Sequence, residues 1–124
     1  MHRILLIEDN LEIRENTAEM LSLYGYDVTT AENGTIGLEI ARQMIPDLIL
    51  CDIMMPGTDG YGVFQGLKAH GSTSEIPFIF VTASVEKRDI KAGLDLGANG
   101  YIRKPFEIED LIAEVVRCLN GRGA

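Results

Sequence analysis

Cysteine is scarce in this chain of 124 residues, which carries only Cys51 and Cys118. They stand in no C-x-x-C or zinc-type spacing, so neither a disulfide framework nor a structural zinc centre organises the fold. Two buried thiols in a reducing compartment are expected. Basic charge is scarce as well: 11 Lys and Arg against 19 Asp and Glu give a formal net charge of −8. A nucleic-acid-binding face needs clustered Lys and Arg against the phosphates, so direct nucleic-acid binding by this domain is not expected. No apolar run approaches a membrane span, and the N-terminal one is too short for a signal peptide. A cytoplasmic location without membrane association is the default. The phosphate-cradling patterns G-x-x-x-x-G-K-[ST] and G-x-G-x-x-G are missing too, which argues against a nucleotide or flavin binder. Repeats, low-complexity tracts and linkers are absent from the first 120 residues. Residues 1–120 are therefore expected to form one domain, with 121–124 a short tail or the start of a linker.

What the chain does contain is a regular alternation. Apolar runs of strand length occur at 3–7, 26–30, 47–51, 76–82 and 99–102, and their near-continuous apolar character suits parallel strands covered on both faces. Between them lie helical patterns. Residues 11–24 carry the stripe Ile13, Thr17, Met20, Leu21 and Tyr24, with Glu12, Glu15 and Glu19 on the solvated side. Residues 35–44 stop before Pro46; residues 58–69 bury Val63, Phe64 and Leu67; residues 85–96 are anchored by Ile90 and Leu94. The last segment, 107–119, has the clearest stripe (Ile108, Leu111, Ile112, Val115, Val116, Leu119), and Gly121 reads as its stop. The pattern is (βα)5, an α/β fold with a parallel sheet, right-handed crossovers and helices on both faces.

Sheets of this kind bind ligands beyond the carboxyl ends of their strands. Glu8 and Asp9 follow the first strand, Asp52 the third, Thr82 ends the fourth, and Lys104 follows the fifth. Two carboxylates about 5 Å apart repel by roughly 3 kcal/mol at an effective dielectric of ~20, so three of them on one edge call for a cation. Oxygen ligands without His or Cys favour Mg²⁺ or Mn²⁺ over zinc, and Mg²⁺ readily takes a phosphate oxygen as a further ligand. Phosphoryl chemistry follows. Asp52, ending the central strand, is the best candidate to attack a phosphoryl group and form an acyl phosphate, with Lys104 supplying an ammonium and Thr82 a hydroxyl. Taken singly, Glu8 or Asp9 is more often a helix N-cap or a solvated strand end, Thr82 a turn residue and Lys104 a surface charge; the joint pattern carries the reading.

The segments LLIEDN, DLILCDIMMPGTDG, IPFIFVTA and GANGYIRKPF, in this order and spacing, resemble the receiver domain of two-component response regulators over essentially the whole chain. The resemblance implies the flavodoxin-like sheet of order 2-1-3-4-5. It implies Asp52 as phosphoacceptor, Asp9 and Asp52 as side-chain ligands of Mg²⁺, Glu8 acting through metal-bound water, and Met54 lending its backbone carbonyl. Thr82 and Lys104 would contact the phosphoryl group. Thr82 and Tyr101 would form the switch that reshapes the face made by the fourth helix, fifth strand and last helix. A cis Lys104–Pro105 peptide is also implied. Thr58 departs from the Met common in that loop, while Met54, Ser84 and the small Ala83 occupy positions that modulate the site.

The expected partners are a sensor histidine kinase or histidine phosphotransfer protein and a downstream protein target or missing output domain, with a stand-alone module slightly favoured. A phosphorylation-dependent homodimer stays open. Leu11, Ile13 and Arg14 are candidates for the donor's docking side, and Lys87, Arg88, Lys91 and Arg103 lend the output side positive charge. The domain is expected to be a self-phosphorylating signalling module and not a conventional enzyme. The alternative, a phosphatase with an aspartyl nucleophile, needs a second acid two residues after Asp52, where Met54 stands.

Overall fold

The protein's structure, a computed structural model, describes residues 1–83, 91, 93 and 95–121. Five apolar runs form the strands β1 (Arg3–Ile7), β2 (Asp27–Ala31), β3 (Leu48–Asp52), β4 (Phe78–Thr82) and β5 (Gly100–Arg103). All pair in parallel, in the order β2-β1-β3-β4-β5, with registers such as Ile4 opposite Leu48 and Asp52 opposite Val81. β1, β3 and β4 are buried along almost their whole length because helices cover both faces.

Among the described residues the continuous helices are α1 (Leu11–Leu23), α2 (Gly34–Met44), α3 (Gly60–Lys68) and a C-terminal helix, Ile108–Gly121. Each of the first three starts at a side chain that accepts an otherwise unpaired backbone N–H: Asn10 from Ile13, Asn33 from Ile36, Asp59 from Gly62. Ile45 ends α2 in the left-handed region at φ 45°, a strained place for a β-branched residue, and Pro46 prevents continuation. The sheet separates two cores. Leu5, Ile7, Ile49, Cys51, Phe78 and Phe80 pack toward α2 and α3; Ile4, Leu6, Leu50, Ile79, Val81 and Leu111 pack toward α1 and the C-terminal helix. Both cysteines are buried and free, one in each core.

The expected (βα)5 architecture and strand order are those observed, with local differences. β2, β3 and β5 lie one residue further along than their apolar runs, and β4 begins at Phe78 because Pro77 has no N–H for the ladder. Asp52 is thus the last residue of β3 and not the first after it. Tyr24 caps α1 and is 51% exposed; Val116 is 41% exposed, and Cys118 takes the buried position in its stead. The C-terminal helix runs through Gly121, since backbone hydrogen bonding continues past the last apolar position at Leu119. Ser84, Lys87, Arg88, Ile90 and Leu94, named above, lie outside the described residues; within the fourth predicted helix Lys91, Gly93 and Asp95 are helical.

Candidate functional site

Strand order reverses between β1 and β3: the chain leaves β1 toward one edge of the sheet and resumes in β3 on the other side. Glu8, Asp9 and Asp52 stand at that switch. Each offers a carboxylate oxygen, and the three oxygens lie within 4.8 Å of one another. Glu8 and Asp52 are only 2% and 7% exposed, whereas Asp9 is open to solvent. Glu8 is held from its backbone, whose N–H donates to Ala31 O at 3.0 Å, continuing the β1–β2 ladder. Its own carboxylate accepts from Asn10 N at 3.2 Å.

Lys104 arrives from the far side. Its Nζ donates to Asp52 Oδ2 at 2.9 Å and to Glu8 Oε1. The other Asp52 oxygen, Oδ1, accepts from Met54 N at 3.2 Å, while the Met54 side chain projects into solvent. The Lys104 N–H donates to Thr82 O at 2.7 Å, which holds its backbone to the end of β4; the peptide to Pro105 is cis. Thr82 closes β4, 1% exposed, so strand ends β4 and β5 present it and Lys104 side by side. Tyr101, mid-β5, is half-buried against the core that holds Phe80.

Charge balance follows from this packing. Burial raises the Glu8 carboxyl above its ordinary value; the hydrogen bonds from Lys104 and Asn10 pull it back, and the Asp52 charge pushes it up again. For Lys104, burial alone would favour the neutral amine, but hydrogen bonds to Glu8 and Asp52, with their charges, outweigh it and leave the ammonium above its usual range. The buried Cys51 thiol, next to Asp52, is pushed well up by burial first and then by Asp52, Glu8 and Asp59. It stays protonated, and its S–H donates to Asp52 O at 3.3 Å.

The carboxylate cluster suits a hard divalent ion. Three carboxylate oxygens within 4.8 Å of one another could converge on an ion that prefers hard oxygen ligands. Among the described residues no His or Cys joins the cluster.

Three features escaped the sequence reading. Arg14 on α1 donates from Nη1 to Glu8 O at 2.9 Å and reaches Asp9 O at 3.5 Å. Gly60 lies so close to the end of β3 that a Cβ there would stand 2.6 Å from Asp52 O and 2.7 Å from Ile53 Cα. On β5, Tyr101 N donates to Glu114 Oε2 at 3.1 Å, and Arg117 bonds both Glu114 Oε1 (2.7 Å) and Asn99 O (2.8 Å). Only the Glu114–Arg117 spacing was visible as a signal, and it reads as an ordinary surface ion pair. Of the positive residues assigned to the output side, Lys91 pairs with Asp95 at 2.9 Å and Arg103 is exposed.

The family model of the response regulator receiver domain matches residues 4–116. The chain is 40% identical over 115 residues to the DNA-binding dual master transcriptional regulator RpaA of Synechocystis sp., an alignment covering 93% of this chain and 48% of that protein. It spans about half the length of the curated relatives it matches. Among solved structures, the signal receiver domain of a signal transduction histidine kinase from Syntrophus aciditrophicus superposes with a TM-score of 0.88 at 32% identity, covering 98% of this chain and 92% of that one. The chemotaxis protein CheY4 of Vibrio cholerae superposes with a TM-score of 0.90 at 27% identity, covering 95% and 98%.

Proposed function

Because the chain belongs to the response regulator receiver family, we propose that Asp52 accepts a phosphoryl group from a phosphohistidine donor in a Mg²⁺-dependent reaction. The observation that carries this reading is the pairing at Asp52 itself. One oxygen is held by Lys104 Nζ, and the same carboxylate belongs to a three-carboxylate cluster able to hold a divalent ion. Asp9, Asp52 and the Met54 carbonyl would ligate Mg²⁺ directly, with Glu8 acting through water. Bound there, the ion would offset negative charge on the phosphoryl oxygens.

In the transfer, an Asp52 carboxylate oxygen forms a bond to phosphorus as the phosphorus–nitrogen bond of the donor breaks. The electron pair leaves with the imidazole, and an acyl phosphate remains on Asp52. Lys104 would move its ammonium from the carboxylate to a phosphoryl oxygen. Thr82 would donate its hydroxyl to another, and Tyr101 would turn with it, changing the face that β5 and its flanking helices present. Water later cleaves the acyl phosphate and returns inorganic phosphate.

The donor would be a histidine kinase or histidine phosphotransfer protein. An open cleft of about 430 Å³, lined by Ile13, Asn16, Thr17, Met20, Lys104 and Phe106, borders the site on the α1 side and suits such an approach. The altered face would address a partner or an output domain; relatives named as transcriptional regulators support the latter for a longer protein. Among the described residues no helix is long and apolar enough to cross a membrane.

Intact mass after incubation with acetyl phosphate tests the assignment. A Mg²⁺-dependent gain of one phosphoryl group, about 80 Da, is expected in wild type and not in Asp52→Asn. If neither an adduct nor beryllofluoride binding is found, the assignment falls.

A further inference from the structure

We infer that Arg14 is a positioning residue for the metal-binding loop, acting through backbone carbonyls and not through charge; the inference rests on the Mg²⁺ reading above. The loop between β1 and α1 is three residues long, Glu8 to Asn10, and two of them are proposed metal-site carboxylates. Its two ends are fixed by the Glu8 N–H on Ala31 O and by the Asn10 side chain, which caps α1. Between those ends stand the carbonyls of Glu8 and Asp9, and the Arg14 guanidinium meets both, at 2.9 Å and 3.5 Å. The shorter contact is a well-formed, charge-assisted hydrogen bond, and the longer lies at the limit of one. Asp9 is exposed, so packing does little to orient its carboxylate; its main chain must do so.

The location of Arg14 on its helix supports a specific role. It sits in the first turn of α1, where the helix dipole disfavours a cation. Among the described residues its guanidinium meets these carbonyls and no carboxylate within ion-pair distance.

Charge and position predict opposite signs, and that makes the inference testable. A cation beside the site weakens divalent binding, so neutralising it would tighten Mg²⁺ if charge were all that mattered. Loss of positioning weakens Mg²⁺. Titration of Mg²⁺ by calorimetry into wild type, Arg14→Gln and Arg14→Lys is the experiment, with unfolding midpoints recorded alongside. Weakening of about tenfold is expected in Arg14→Gln, a cost typical of losing an outer support of a metal ligand. Arg14→Lys keeps the charge but not the planar fork, and is expected to weaken binding too. Acetyl phosphate labelling should be slowed in both variants at low Mg²⁺ and restored at saturating Mg²⁺. Unchanged or tighter binding in Arg14→Gln, or full rescue by Arg14→Lys, overturns the inference while leaving the phosphoacceptor assignment standing. If wild type binds no Mg²⁺, both fall.

Discussion

At the scale of single residues, one ammonium serves two carboxylates that would otherwise face each other in a buried corner. Lys104 contacts both Glu8 and Asp52, which are almost fully enclosed. Replacing it by Gln removes the positive charge and leaves two acids competing for protons. Lys104→Gln is expected to lose about 2 kcal/mol of stability in Mg²⁺-free buffer at neutral pH. The loss stays below that of a fully enclosed pair because Glu8, already raised, can take up a proton. Added Mg²⁺ should recover most of it. Urea unfolding with and without the ion checks both statements; a variant as stable as wild type without the ion would show that the carboxylates do not strain the fold.

At the scale of elements, β5 is the sheet's edge, and side chains from the C-terminal helix occupy its outward backbone groups. Glu114 takes the Tyr101 N–H and Arg117 takes the Asn99 carbonyl. The Glu114 carboxyl is lowered from 4.5, chiefly by the hydrogen bond from Arg117, against the opposing effect of burial and with help from the Tyr101 N–H and the Arg117 charge. The fold favours its ionised form, so this stabilisation is complete above pH 4.5 and is withdrawn as pH falls through the lowered folded-state value. Glu114→Gln should therefore cost about 1 kcal/mol near neutrality, with the gap to wild type narrowing below pH 4.5. Unfolding free energies at several pH values measure this, and a gap constant with pH would contradict it. The arrangement was not legible in the sequence, because i, i+3 spacing says nothing of a strand lying beneath. The strands themselves were legible, since burial on both faces demands continuous apolar runs. Their ends slipped by a residue because hydrogen bonding, not apolarity, decides where a ladder stops. Tyr24 and Val116 continued an apolar stripe beyond the surface it could cover.

At the scale of the whole molecule, the site is assembled from four strand ends, those of β1, β3, β4 and β5, and is bound to the folded state. A ligand of the folded state adds RT ln(1 + [L]/Kd), about 2.7 kcal/mol at a hundredfold excess over Kd. Mg²⁺ at that excess should raise the unfolding free energy of wild type by this amount and leave Asp9→Asn, which removes the exposed carboxylate of the cluster, almost unchanged. Equal shifts in the two proteins would place the ion elsewhere. Glu8, Asp9, Asp52, Thr82 and Lys104 were legible together because strand order alone brings carboxyl ends to one edge. Arg14 was singled out only for the donor's docking side; its hold on the loop was not legible, since a side chain reaching back to carbonyls leaves no residue-type signature. Gly60 left none either, and it has a consequence for the assembled molecule. With no Cβ between them, the first turn of α3 and the main chain of Asp52 bear directly on each other, like a shaft seated without a bushing. A displacement of the Asp52 main chain would therefore meet α3 by direct backbone contact, with no side chain between them.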